Sequence, residues 1–383
     1  MRAIAASILR PPLPRWQRIA WVALVAWLAL RFATLAVEVS SRPLYPWDAW
    51  DQWATKARVW YELGHIVPFV PAEAGLGGAG AYFDTSPANP STVPLLQAWS
   101  AIALGRWDDA ATNWPWLLML VALTLAVYGA LRDADLPPLG ALAAAYLVAS
   151  LPLLDTHVAL AGYPDLMLSG VYALAALALH RWALRRDFRD AALALVLALA
   201  CTTIDASGRV LMMTLLPGVV VALWPRQGIK VVAWSFGAGL LVLLFLMRGT
   251  PLLSALPYHL DYASPWHALG EDYFLLGSWH LLWYVALVLA AIGARRLVRQ
   301  PLAPLAMVVT SALAWIIIAA AFSDDLAGWF PSARAVNRLS LHVAPLLACL
   351  CTLLWRELTA LEASPLLAPS PPPAEADATA GDA

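Results

Sequence analysis

The residues able to do chemistry fall in three short stretches far apart in the chain. The first is LYPWDAWDQWATKARVWYELG, Leu44 to Gly64, with two aspartates, a lysine, an arginine and four tryptophans in about five helical turns. A carboxylate held at a membrane surface beside tryptophans suits proton abstraction, which makes Asp48 the leading candidate for a base. The plainer role for Asp48 is to cap a helix whose first turn also carries Asp51. On that helix Trp50, Ala54, Ala57 and Tyr61 share one face, while Asp48, Gln52, Thr55 and Lys56 lie towards another. Asp51 and Lys56 are therefore secondary candidates.

The second stretch is HVALAGYPDLML, His157 to Leu168, where Asp165 opens an apolar run just after a turn that also holds Asp155 and His157. A carboxylate at such a boundary is costly unless solvated, paired or functional. Asp155 and His157 are secondary candidates, and one histidine among scattered acids does not indicate a metal site. The third stretch, NRLSLH, opens the last apolar run. Arg338 and His342 are one helical turn apart on one face. A helix N-terminus with an arginine and a histidine suits a phosphate group, against the plainer role of an arginine marking the interface. Arg209, in TTIDASGR, and Arg248 are lesser candidates for the same contact, and Asp205 stands where it can neutralise Arg209.

Something must bring these stretches together, and the composition says what. The chain has 383 residues, 61% hydrophobic and 13% charged, against roughly 25% charged in soluble chains. That is the composition of a polytopic membrane protein. A net charge of -1 with no basic stripe excludes nucleic acid as a partner. Cys201, Cys349 and Cys351 lie in apolar runs, so neither a disulfide framework nor a cysteine-based zinc site is indicated, and no cofactor is called for. The 20 tryptophans and 11 tyrosines gather near segment ends, as interfacial anchors do.

The expected fold is an all-α transmembrane bundle of about ten spans, at 19–39, 114–131, 138–154, 166–183, 190–204, 210–224, 231–247, 280–294, 302–322 and 339–355. The segments 190–204 and 210–224 also read as a pair that does not fully cross. The first run follows Arg2, Arg10, Arg15 and Arg18 and lacks a small-residue cleavage site, so it reads as an uncleaved span. Val93 to Leu104 is too short to cross and reads as an interfacial or re-entrant helix. A cytoplasmic N-terminus puts 15 of the 24 basic residues inside, with both termini cytoplasmic and most acids outside. The loop 40–113 then faces outward as the first periplasmic loop. Residues 1–362 form one transmembrane domain, and the Pro- and Ala-rich tail 363–383 reads as disordered and cytoplasmic. The Ala-, Leu- and Arg-rich composition suggests a bacterial inner membrane.

In this order the pieces resemble an integral-membrane glycosyltransferase of the GT-C class, closest to the bacterial protein-mannosyltransferase and aminoarabinose-transferase-like branch. Four stretches carry the resemblance. They are WDAWDQWATKA after the first span, NPSTVPLLQAW before the second, GYPDL in the second outer loop, and RLSLHVAPL in the final helix. The resemblance implies inverting transfer of a sugar from a polyprenyl-phosphate donor to an acceptor hydroxyl of a lipid, glycan or protein at the periplasmic face of the cell envelope. It implies Asp48 as the base, Asp165 as a second acid in the cavity, and Arg338 and His342 on the donor phosphate. Related bacterial proteins often carry a Lys-x-Glu-Gly-like turn where this chain has TTIDASGR, which leaves Arg209 to supply that contact. A second class uses the same residues without breaking a bond, namely a transporter or flippase for a lipid-linked saccharide. The lack of internal repeats and the few charges within the spans weigh against it.

Overall fold

The computed structural model of the chain describes residues 13–71, 82–247, 260–326 and 335–362. Arg2, Arg10, Arg248 and the expected tail at 363–383 lie outside the described residues. Each of the ten apolar runs is helical. In chain order the helices are α1 Arg15–Ser41, α2 Thr55–Leu63, α3 Thr92–Leu104, α4 Trp114–Asp133, α5 Pro138–Ala149, α6 Pro152–Ala159, α7 Asp165–Arg185, α8 Phe188–Ile204, α9 Ser207–Thr214, α10 Leu216–Leu223, α11 Gly228–Leu246, α12 Trp266–Gly270, α13 Leu282–Leu297, α14 Ala303–Ala321, α15 Ser323–Leu326 and α16 Val336–Glu362. A short parallel pair, β1 Phe69–Val70 with β2 Tyr82–Phe83, is an element of the loop 40–113 that the apolar pattern does not announce.

Six of these helices are long and apolar enough to cross a membrane, and α5 with α6 makes a seventh if that bent pair is one span. The protein is thus an all-α, multi-pass membrane protein. The other expected spans are shorter: α8 has 17 residues and α13 has 16, while 210–224 is broken into α9 and α10. Val93 to Leu104 is a 13-residue helix, as its length requires.

At the centre of the bundle α7 packs against α4, α8, α14 and α16. Its buried Ala173, Ala175, Ala176 and Ala178 let neighbouring backbones approach closely. Close van der Waals contact is what drives helix association where lipid is as apolar as the side chains. One end of the bundle gathers arginines. Arg181 pairs with Asp133, Arg186 donates to the Ala222 carbonyl, and Arg356 donates to the Ala134 carbonyl, so the C-terminal halves of α4, α7, α10 and α16 are tied together there. The opposite end, where α1 finishes and α7 and α16 begin, holds Asp48 and Asp165.

The α5–α6 break shows how an irregular backbone survives at this depth. Pro152 starts α6 at a 58° bend and has no N–H to continue the ladder. The carbonyls this frees find side-chain donors: His280 Nε2 lies 2.9 Å from the Ser150 oxygen, and Arg31 Nε lies 3.4 Å from that of Ala149. Arg31 also pairs with Asp155. An intramembrane arginine is therefore neutralised and used to brace a broken helix.

The stretch after α1 departs from the expected amphipathic helix. It opens with a π turn, Ala49–Ala54, before α2, and the extra residue per turn shifts the register. The buried side chains are Ala49, Trp53, Ala54, Lys56, Ala57 and Trp60, while Trp50 is exposed. Lys56, expected on the polar face, points inward and pairs with Asp84 at 2.5 Å while donating to the Ser86 carbonyl at 2.9 Å. Both side chains are almost wholly buried, so this pair clamps the 84–89 loop onto the helix. Removing one partner strands a buried charge. Lys56→Ala is expected to cost about 3–5 kcal/mol, read as a lowered melting temperature in detergent, and Lys56→Met combined with Asp84→Leu is expected to cost markedly less.

Candidate functional site

Arg338 stands one turn into α16 and reaches across the end of the bundle to two carboxylates. Its Nε lies 3.3 and 3.1 Å from the two oxygens of Asp165, and its Nη2 lies 2.9 Å from Oδ2. Its Nη1 donates to Asp48 Oδ2 at 3.2 Å. This is a forked, charge-assisted contact of the kind a planar guanidinium makes best. Asp48 makes no capping hydrogen bond, so the expected cap role gives way to the ion pair with Arg338. His342, one turn further along α16, has its Nε2 3.1 Å from Asp165 Oδ1. Its Nδ1 is buried with no partner among the described residues, which makes Nε2 the protonated nitrogen that donates to the carboxylate.

The two acids differ sharply in setting. The Asp165 side chain is 2% exposed and that of Asp48 is 35% exposed. Asp165 has both oxygens occupied and sits in the first turn of α7, where the helix dipole favours a carboxylate. It can orient other groups but has no free lone pair facing an opening. Asp48 uses one oxygen and faces solvent.

The turn before α7 supplies the floor. The Tyr163 ring lies under the Arg338 guanidinium, 4.8 Å from its carbon to the ring centroid. Trp116 Nε1 holds the Tyr163 carbonyl at 2.7 Å. Burial, followed by the charge of Asp48, pushes the Tyr163 phenol above its ordinary range, so it remains protonated. Gly162 has φ +115°, and a Cβ there would lie 2.4 Å from the Ala49 Cβ. Only glycine both adopts that backbone and lets the Asp48 turn come this close. His157 completes the shell, with Nδ1 2.9 Å from the Leu153 carbonyl and Nε2 3.9 Å from Asp165 Oδ2.

Five of the residues singled out in the sequence therefore meet: Asp48, Asp165, Arg338, His342 and His157. Four do not. Asp51 accepts a hydrogen bond from Thr85 at 2.7 Å, Lys56 is committed to Asp84, and Asp155 to Arg31. Arg209 is exposed on α9 and makes no hydrogen bond or ion pair with the cluster among the described residues. Gly208 faces the bundle, where a Cβ would meet the Cys201 carbonyl at 1.9 Å, and Arg209 stands about 100° further round α9 on its exposed side. Asp205 caps the Ser207 N–H at 2.9 Å, and its charge acts on Arg338.

No protein-family model, curated protein or solved structure matches this chain. The site is read from its own geometry. Gly162, Tyr163 and Trp116 were not singled out in the sequence, although GYPD, a glycine and a tyrosine before an acid at a helix start, was a signal for the first two.

On its far face α16 is gripped by the segment after α12. Ser340 Oγ and the Tyr273 hydroxyl share a hydrogen bond at 3.0 Å, and Tyr273 stacks on Trp283 at 3.8 Å. Asp272 is buried beside them and accepts from Trp279 Nε1 at 3.3 Å. Burial pushes its carboxyl up to about 6, against the hydrogen bonds from Trp279 and Ser340, which lower it.

Two outcomes follow from these contacts. Asp165→Asn removes the buried counter-charge of a partly buried guanidinium and is expected to cost about 3 kcal/mol, whereas Asp48→Asn, at a half-exposed pair, is expected to cost about 1 kcal/mol or less in the same melts. For Asp272, the folded state holds the proton more tightly than the unfolded chain. Between pH 4 and about 6 unfolding therefore releases a proton, and stability falls as pH rises through that window. Asp272→Asn is expected to flatten that part of the profile in melts taken from pH 4 to 7.

Proposed function

We propose that the protein is a membrane glycosyltransferase of the GT-C type. It would move a sugar from a polyprenyl-phosphate donor to an acceptor hydroxyl, with inversion, at the periplasmic face of a bacterial inner membrane. The observation that carries the reading is the single guanidinium of Arg338 held between a buried acid and a half-exposed one. The topology that goes with it is ten spans with both termini cytoplasmic. The arginines gathered at the opposite end of the bundle support that orientation.

In this reading Asp165 and His342 are positioning groups that fix the plane of Arg338. When the donor arrives, its phosphate takes the outward N–H of Arg338 now bound to Asp48. The exchange frees Asp48 Oδ2 at the moment a base is needed. Asp48 removes the proton from the acceptor hydroxyl, whose oxygen forms a bond to the anomeric carbon. The bond from that carbon to the phosphate oxygen breaks, with its electron pair leaving on the lipid phosphate. Arg338 then faces the charge that builds on the leaving group, where a preformed donor lowers the barrier most. The phenol of Tyr163 keeps the guanidinium from sinking away from the opening.

A largely apolar cavity of about 830 Å³ between α11 and α14 supports a lipid-linked donor. Leu240, Leu243, Leu244, Ile317 and Ile318 line it, and Tyr262 and Phe322 stand where α14 ends, the end from which α16 and Arg338 start. A polyprenyl chain can lie there without leaving an apolar medium.

Asp48→Asn keeps the shape of the side chain and removes its ability to take a proton. Transfer from a polyprenyl-phosphate sugar by the purified, inserted protein is expected to fall by about 10²–10⁴-fold, with the melting temperature nearly unchanged. Transfer at near wild-type rate by that variant would overturn the base assignment. Translocation of the headgroup with no glycosidic product would replace the transferase by a transporter.

A further inference from the structure

Away from Arg338, a pocket of about 420 Å³ opens beside the end of α1, walled chiefly by Arg42, Arg58, Trp107, Asp108 and Asp109. Its charges are not equivalent. Asp108 is fully used: Oδ1 accepts from the Ala110 and Ala111 N–H groups at 3.1 and 3.0 Å, and Oδ2 pairs with Arg106 at 3.0 Å. Arg42 pairs with Glu38 at 2.7 Å. Arg58 is exposed, stands 6.0 Å from the Trp107 ring centroid, and has no carboxylate partner among the described residues. Asp109 is exposed and gives only Oδ1, which accepts from Trp107 Nε1 at 2.6 Å. The pocket therefore offers a guanidinium over the face and a carboxylate at the N–H edge of an indole that is pinned in place.

We propose that this pocket binds the phosphoethanolamine headgroup of a membrane phospholipid. The phosphate would lie on Arg58, with Arg42 at its edge, and the primary ammonium would donate to Asp109 across the Trp107 ring. The lining arginines and aspartates balance in charge, which matches a zwitterion and disfavours a headgroup that is only anionic. A choline headgroup has no N–H to give Asp109. The position fits as well, because Arg42 directly follows the last residue of a candidate span, at the level where headgroups lie. A lipid bound here would join the end of α1, the α2 helix and the turn before α4. It would steady the segment that carries Asp48, and it does not depend on what reaction Asp48 performs.

The test is native mass spectrometry of the full chain offered equal amounts of phosphatidylethanolamine, phosphatidylglycerol and phosphatidylcholine, with Arg58→Gln and Asp109→Asn as variants. Asp109→Asn keeps an oxygen for the Trp107 indole and removes only the charge. Wild type is expected to retain phosphatidylethanolamine over the other two, with retention falling about tenfold in each variant while melting temperatures hold. Soluble phosphoethanolamine at equal concentration is expected to bind far more weakly. Unchanged retention in both variants would overturn the proposal. Phosphatidylglycerol held as tightly and indifferent to Asp109→Asn would reduce the pocket to a plain cationic patch. Equal binding of soluble phosphoethanolamine would remove the membrane from it.

Discussion

One guanidinium between two carboxylates holds the functional end of this bundle together. Arg338 lies 173 residues from Asp165 and 290 from Asp48, so its bonds join the last long helix, the central helix and the segment after the first. The two pairs are unequal: the one with the buried Asp165 is expensive to break, and the one with the half-exposed Asp48 is not. The three elements must pack in one register for the charges to meet. Other contacts enforce that register: the alanine face of α7, the glycine under the Asp48 turn, and the hydroxyl–aromatic contacts that grip the far side of α16.

Much of this was legible in the sequence. Low charge content and long apolar runs announce a helical membrane protein, and Asp48, Asp165, Arg338 and His342 are each conspicuous as ionisable groups at the edge of an apolar run. That edge is why they could be found, because a charge there needs a reason. Their gathering at one end also follows from counting helices and basic residues, although the count of full crossings is coarser in the structure, where short and broken helices replace several expected spans.

The pairings were not legible. Asp155, Lys56 and Asp51 have the residue types of a site and are spent on Arg31, Asp84 and Thr85. A sequence shows which charges exist but not which neighbour neutralises each, since that depends on helix rotation. Lys56 is the clearest case. The face expected to be apolar runs through Trp50, Ala54, Ala57 and Tyr61 and leaves Lys56 outside, whereas the buried face runs through Trp53, Lys56, Ala57 and Trp60. Arg209 fails for a related reason, because the rotation of α9 that packs Gly208 against the Cys201 backbone leaves Arg209 on the exposed side.

The π turn at Ala49–Ala54 gives the segment a mechanical property. Upstream of it stands the half-exposed Asp48, and downstream the buried Lys56 that anchors the helix to the 84–89 loop. A π turn amounts to one residue inserted in an α-helix, and each residue of an α-helix turns it by about 100°. A chain one residue shorter there would wind as an ordinary helix. The acid and the anchor would keep nearly the same relative orientation, because the wider turn takes up the extra residue locally. The aim of the carboxylate is thus held across a residue's worth of added length, which the turn absorbs before it reaches either flank.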